Sequence, residues 1–335
     1  MNHIIRFSAV FMLVVGGLLT GTTSEVLSQE ATSNRRLAEQ GDAQAQFNLG
    51  SIYYTGSGVL KDETEAVKWY RAAAEQGHVN AQLILGDLYD GGKGVPQDYA
   101  EAAKWYRAAA EQGHAHAQFL LAVMYSDGKG VLQDYTESIK WYHAAGEQWH
   151  VGAQFNLGYI YSFGVGVPED QVEAVKWHRY AAEQGDAGAQ VMLGARYLVG
   201  DGVPQDNKEA ARLLRGAAEQ GEALAQRTLG RMYYAGQGVP RDYKEAIRWL
   251  NAAAGQSDVA AQFQLGIEYY SGQGVPQDYK EAARWISAVA KQGNTEGLCC
   301  TNPVRDSSRE SSMVAVRHEQ TDTSDLQDQE LAGLQ

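Results

Sequence analysis

The sequence predicts an all-α fold, an α/α superhelical solenoid of seven 36-residue helix-turn-helix repeats, and three observations carry that reading. Leu49, Leu85, Leu121, Leu157, Leu193, Leu229 and Leu265 stand 36 residues apart with no insertion between them. The following residue is glycine in every copy except the third, which has Ala122, and three positions further on stand Tyr53, Tyr89, Tyr125, Tyr161, Tyr197, Tyr233 and Tyr269. Each interval splits into two stretches of helical periodicity joined by a glycine-rich turn. A fixed period of this length marks an array in which each unit buries its apolar face only against its neighbours.

The chain opens with Arg6 followed by an apolar run from Ala9 to Leu19. That run has the length of a signal-peptide core and is short for a spanning helix. Val26-Leu27-Ser28 supplies a cleavage pattern before Gln29, so residues 1–28 are expected to be a signal peptide, the alternative being an uncleaved anchor. The expected destination is the periplasm or the medium of a bacterial cell, with no membrane span remaining after cleavage.

The repeat array is expected over residues 34–293, with copies starting near 42, 78, 114, 150, 186, 222 and 258. The first helix of each copy, helix A, buries a stripe such as Ala45, Leu49 and Tyr53 at i, i+4 and i+8. A turn of the form seen at Gly238-Val239-Pro240-Arg241-Asp242 follows. Helix B then opens on an acidic residue with glutamate three positions later, from Asp62/Glu65 to Asp278/Glu281. This spacing is that of a capping box, and its recurrence in every copy argues against a catalytic carboxylate pair. Helix B is expected to bury Ala66, Trp69, Ala73 and their equivalents, making six tryptophans core, and to end at a glycine such as Gly77 or Gly113. Trp149 stands where the third copy needs that glycine, at its junction with the fourth, so the turn there is expected to differ.

The signature A-Q-x-x-L-G-x-x-Y, G-x-G-V-P-x-D-x-x-E-A-x-x-W-Y-x-x-A-A-E-Q-G resembles the Sel-one-like repeat (SLR), a relative of the tetratricopeptide repeat. The resemblance spans Asp42 to Gly293. It implies an α/α superhelix that serves as an adaptor between proteins. A branch of that family staples each repeat with a disulfide, and this chain lacks those cysteines.

Comparison of the copies shows which positions packing leaves free. The residues equivalent to 44, 48, 51 and 55 vary, and their spacing puts them on one face of helix A. Ile84, Leu120, Val123, Tyr159, Phe163, Met192 and Arg231 are therefore expected to line a concave groove that binds a partner protein or peptide. The competing reading is that several of them pack between neighbouring A helices. Trp149 is either a further exposed anchor or a ring folded over the adjoining loop.

The column Lys68, Lys104, Lys140, Lys176, Arg212, Arg248 and Arg284 is explained by i, i+3 pairing with the glutamates. His78, His114 and His150 form a column too widely spaced for one metal ion. The net charge of −13 disfavours nucleic acid as a partner. No nucleophile–base, phosphate-loop or metal-ligand motif is present, so no enzyme, cofactor or metal is expected. Residues 294–335 lose the register and are polar. They are expected to be a disordered tail, whose abrupt start a frame disruption in the coding sequence would also explain. Cys299 and Cys300 within it could link two chains, although a monomer is expected. The alternative function is a secreted factor that engages a host or extracellular ligand.

Overall fold

The computed structural model describes residues 32–292. The expected signal peptide, the tail and the Cys299–Cys300 pair lie outside the described residues. Among those described, every regular element is helical. A helix over residues 32–39 (α1) is followed by α2 (Ala43–Thr55), α3 (Glu63–Glu75), α4 (Val79–Gly91), α5 (Tyr99–Glu111), α6 (Ala115–Asp127), α7 (Tyr135–Glu147) and α8 (Val151–Phe163). Then come α9 (Gln171–Glu183), α10 (Ala187–Val199), α11 (Asn207–Glu219), α12 (Ala223–Ala235), α13 (Tyr243–Gly255), α14 (Val259–Ser271) and α15 (Tyr279–Lys291). Even-numbered helices are the A helices and odd-numbered ones from α3 onward are the B helices. No described helix is long and apolar enough to cross a membrane.

The chain falls into two compact units, Met1–Ala144 and Ala145–Gln335. In the first, Ala66, Tyr70, Leu85, Tyr106 and Leu121 form a continuous core. In the second, Leu193, Leu214, Leu229, Leu250 and Leu265 occupy the same register. In six of the seven copies the A and B helices approach closely because helix A offers a glycine to a large side chain of helix B, the third copy having Ala122 there. A Cβ at Gly86 would stand 2.5 Å from the Tyr106 ring, and one at Gly158 would stand 2.3 Å from the His178 ring. The residue after the tryptophan position is thus a buried anchor from Tyr70 to Leu250, which the sequence reading left out, whereas its equivalent in the last copy, Ile286, is exposed.

Buried polar side chains tie copy to copy. The amide of Gln82 donates to the Ala74 carbonyl at 3.1 Å, and the amide of Gln112 donates to Gln82 Oε1 at 2.7 Å. The same pair of bonds recurs at Gln226 and Gln256 in the second unit. Each buried glutamine is satisfied on both sides, which removes the cost of hiding it.

Three expectations need correction. The aspartates do cap the B helices, as where Asp242 accepts from the amides of Lys244 and Glu245. The reciprocal arm of the capping box is missing, because the Asp242 amide already donates to the Tyr233 carbonyl at 3.0 Å. Its glutamate instead pairs with the basic column, in all seven copies. Second, only Trp105, Trp177 and Trp249 of the six aligned tryptophans are buried. Trp69, Trp141 and Trp285 are half-buried. They form the outer layer of the B helices, and cations such as Lys140 and Arg284 lie over the rings at 5.3 and 5.2 Å.

Third, the turn at Trp149 is unchanged. Trp149 adopts φ 66°, its amide donates to the Gly146 carbonyl and that of His150 to the Ala145 carbonyl, as Gly77 and His78 do in the first copy. The histidine column also has a structural role. His78, His114 and His150 are N-caps, their Nδ1 atoms accepting from backbone amides at 3.2, 3.3 and 3.2 Å.

Candidate partner-binding face

On an A helix the alanine–leucine stripe, the bridging glutamine and the small residue against helix B are all committed to packing. What remains is the face that carries the positions equivalent to 44, 48, 51 and 55. The two units use it differently.

In the first unit the face is largely consumed by packing. Ile84 and Leu120 are half-buried against the core. Val123 is 5% exposed, so its expected exposure is corrected: eight residues of α6 are buried, a small aliphatic side chain among them retaining little surface. The same position in α4 holds Asp87, which the apolar criterion passed over. Its carboxylate accepts from the Tyr106 hydroxyl at 2.7 Å. Burial pushes its pKa up to about 7, against the opposing effect of the Tyr106 bond. The column is mixed, with Ser51, Val123, Tyr159, Ala195, Arg231 and Ile267 in the other copies, so nothing in the sequence sets Asp87 apart.

In the second unit the face stays open. Tyr159 is half-buried and its ring centroid lies 4.6 Å from that of Phe163, tilted by 45°. Phe163 is 45% exposed and Val199, at the same position one copy on, is 55% exposed. Met192, on α10, is half-buried. Arg231 is exposed on α12, with its pKa lowered by partial burial and by the neighbouring Arg227 charge. Trp149 is 59% exposed, but its ring contact is with Tyr180 of α9, a B helix, at 5.8 Å. The structure therefore does not group it with the A-helix face.

Two buried charges lie behind this face, both in one column whose other members are Ile, Leu or Met. Arg196 donates to the Asp201 carboxylate at 2.8 Å and to the Ser162 hydroxyl at 2.7 Å. Glu268 is 0% exposed and accepts from the Gln264 amide, while its other oxygen has no partner. Burial raises its pKa. A cavity of ≈ 230 Å³ opens beside it, lined by Arg231, Tyr234, Ala235, Leu250 and Gln264. Aromatic rings, thioether and aliphatic groups interspersed with a cation suit recognition of a peptide surface.

A profile of the Sel1 repeat matches residues 43–78, 79–114, 115–148, 151–186, 187–222, 223–258 and 259–294. Among solved structures, the chain is similar to a protective antigen present in uropathogenic Escherichia coli strains that displays an SLR fold. The identity is 40% and the TM-score 0.75, over 80% of this chain and 57% of that one. The chain thus spans just over half the length of that protein. A Sel1 repeat protein from Oxalobacter formigenes is 35% identical with a TM-score of 0.66, over 82% of this chain and 79% of that one. No curated protein sequence matches the chain.

Proposed function

The chain belongs to the Sel1 repeat family, and from that premise we propose that it is an exported scaffold that holds a partner protein or peptide on its A-helix face. Sel1 repeat proteins are generally protein–protein interaction scaffolds and typically non-catalytic. The observation that carries the reading is the Tyr159–Phe163 pair, two touching rings left partly open on a helix whose other faces are committed to packing. Aromatic anchors of this kind contribute disproportionately to binding. Export rests on Arg6 and the Ala9–Leu19 run ahead of a small-residue cleavage pattern.

The test is affinity capture with the native chain and with Tyr159→Ser/Phe163→Ser, from periplasmic and medium fractions. The double variant is expected to weaken the partner by about 2 kcal/mol or more, roughly thirtyfold in Kd, with the helical circular dichroism and the melt unchanged. Joint loss of fold and capture would make the rings core and remove the reading. N-terminal sequencing of the mature chain is expected to begin at Gln29.

A second reading, a secreted factor that engages a host or extracellular ligand, is favoured by the Escherichia coli relative described as a protective antigen. A partner recovered only from the medium or from host surfaces would select it.

A further inference from the structure

The free position at the centre of the A-helix face is served from behind by helix B. In the first copy the Tyr70 hydroxyl reaches Ser51 Oγ at 3.0 Å, and in the second the Tyr106 hydroxyl reaches Asp87 at 2.7 Å. In the sixth copy the facing residue is Arg231, and the helix B position holds Leu250 in place of tyrosine. Leucine is shorter than the phenol and has no hydroxyl. The space that a phenol fills in the earlier copies contributes to the cavity of ≈ 230 Å³, with fully buried Leu250 in its lining. That volume is several times one water's share of liquid, about 30 Å³, and below the roughly 300–1,000 Å³ of small-molecule pockets. One amino-acid side chain fits.

The lining carries one cation, Arg231. The seven cations of the basic column each meet a glutamate. Arg231 has no ion-pair partner among the described residues, and the charge acting on it is that of Arg227. Arg227 is itself turned to Asp258, at 3.6 Å. Tyr234 and Gln264 add polar groups, and both interact with Glu268 behind them, whose burial favours its uncharged form; Leu250 and Ala235 are apolar.

We propose that this cavity receives one acidic side chain of the partner, with Arg231 as its counter-ion. The guanidinium fork matches a carboxylate, and the methylene stem of a glutamate would lie along Leu250 and Ala235. A chain-terminal carboxylate would bring backbone amides against Leu250, where they find no acceptor. The proposal rests on the scaffold reading for the partner's presence, and its test uses defined probes in its place.

The full chain, labelled with ¹⁵N-arginine, is titrated while the Nε–Hε resonance of Arg231 is followed, assigned by its disappearance in Arg231→Gln. N-acetylglutamate N-methylamide, which offers only a side-chain carboxylate, is expected to shift that resonance saturably. N-acetylglutamine N-methylamide, with no carboxylate, is expected to leave it in place. N-acetylglutamine, with only an α-carboxylate, should bind roughly tenfold more weakly. Leu250→Tyr restores the residue of the first three copies, so it fills the cavity while keeping Arg231, and is expected to abolish the response. Equal shifts from the acid and the amide, a stronger response to the α-carboxylate, or a response that survives in folded Leu250→Tyr would each overturn the proposal. If none of the probes acts on Arg231 while partner capture still depends on Tyr159 and Phe163, the scaffold reading stands and this one falls.

Discussion

At the turn that leaves helix B, the backbone enters the left-handed region with glycine at 41, 77, 113, 185 and 221, but with Trp149 at φ 66° and Ser257 at φ 68°. A side chain there costs on the order of 1 kcal/mol relative to glycine. Ser257 is exposed, so Ser257→Gly is expected to stabilise the chain by about 1 kcal/mol in chemical denaturation, and Ser257→Ala to give no such gain. Trp149→Gly relieves the same backbone but forfeits the Tyr180 contact, worth roughly 0.5–1.5 kcal/mol, so its net effect should be near zero. Glu268 presents the opposite problem, a carboxyl placed where other copies hold Met124 or Met232. Its folded pKa is raised by burial, so the stability it permits is fully present below its ordinary pKa and declines as pH rises through the folded value. Glu268→Met should therefore raise the melting temperature, and the gain should widen from acid toward neutral pH. A gain that narrows instead would mean that the Gln264 bond compensates the ionised form.

Among the helices, the recurring Asp-x-x-Glu pair separates into two unequal contributions. Asp242 satisfies two amides at the start of α13, whereas Glu245 meets Arg248 at 3.1 Å on an exposed surface. Asp242→Ala is expected to cost about 1 kcal/mol, and Glu245→Gln no more than about 0.5 kcal/mol, less at high salt. Comparable losses would restore the reciprocal capping box. The distinction shows what the sequence could convey at this scale. Helix number, length and both turn glycines were legible because each is set by short-range geometry repeated in register. The partner of Glu245 was not, because the Asp242 amide is claimed by the Tyr233 carbonyl, which lies in the preceding helix. The same limit applied to Val123 and Trp141: periodicity assigns a face, while depth on that face depends on which neighbouring helices cover it. Arg196 and Glu268 are charged exceptions in one column that is otherwise Ile, Leu or Met and so are legible by subtraction, whereas Asp87 lies in a column that varies freely.

For the molecule as a whole, the carboxyls and histidines that burial shifts among the described residues fall in opposing pairs, one pair in each unit. In the first, Asp87 is raised to about 7 by burial and His116 is lowered to about 4 by burial and the nearby His114. In the second, Glu268 is raised by burial, and His178, whose two ring nitrogens lack partners, is lowered to about 3 by burial and the Arg196 charge. Because units of a repeat array are stabilised by their neighbours, a loss at one such site spreads to the copies beside it. The two carboxyls favour the protonated fold, so their contribution is complete below their ordinary pKa and disappears as pH rises; for Asp87 this ends near 7. The two histidines favour the neutral fold, so theirs is complete above about 6.5 and disappears as pH falls through the folded values. Between those limits the two trends oppose each other, and the native melting temperature should vary little with pH. Single substitutions should uncover each limb. Asp87→Asn keeps an acceptor for Tyr106 and removes one carboxyl limb, so its melting temperature should rise from about pH 4 to about pH 7, where that of the native chain is nearly level. His178→Leu, the residue present at 214 and 250 beneath equivalent glycines, removes one histidine limb, so its melting temperature should instead rise as pH falls from about 6.5 to about 4. Thermal melts across that range decide it: a slope that neither variant changes would place the pH dependence outside these buried groups.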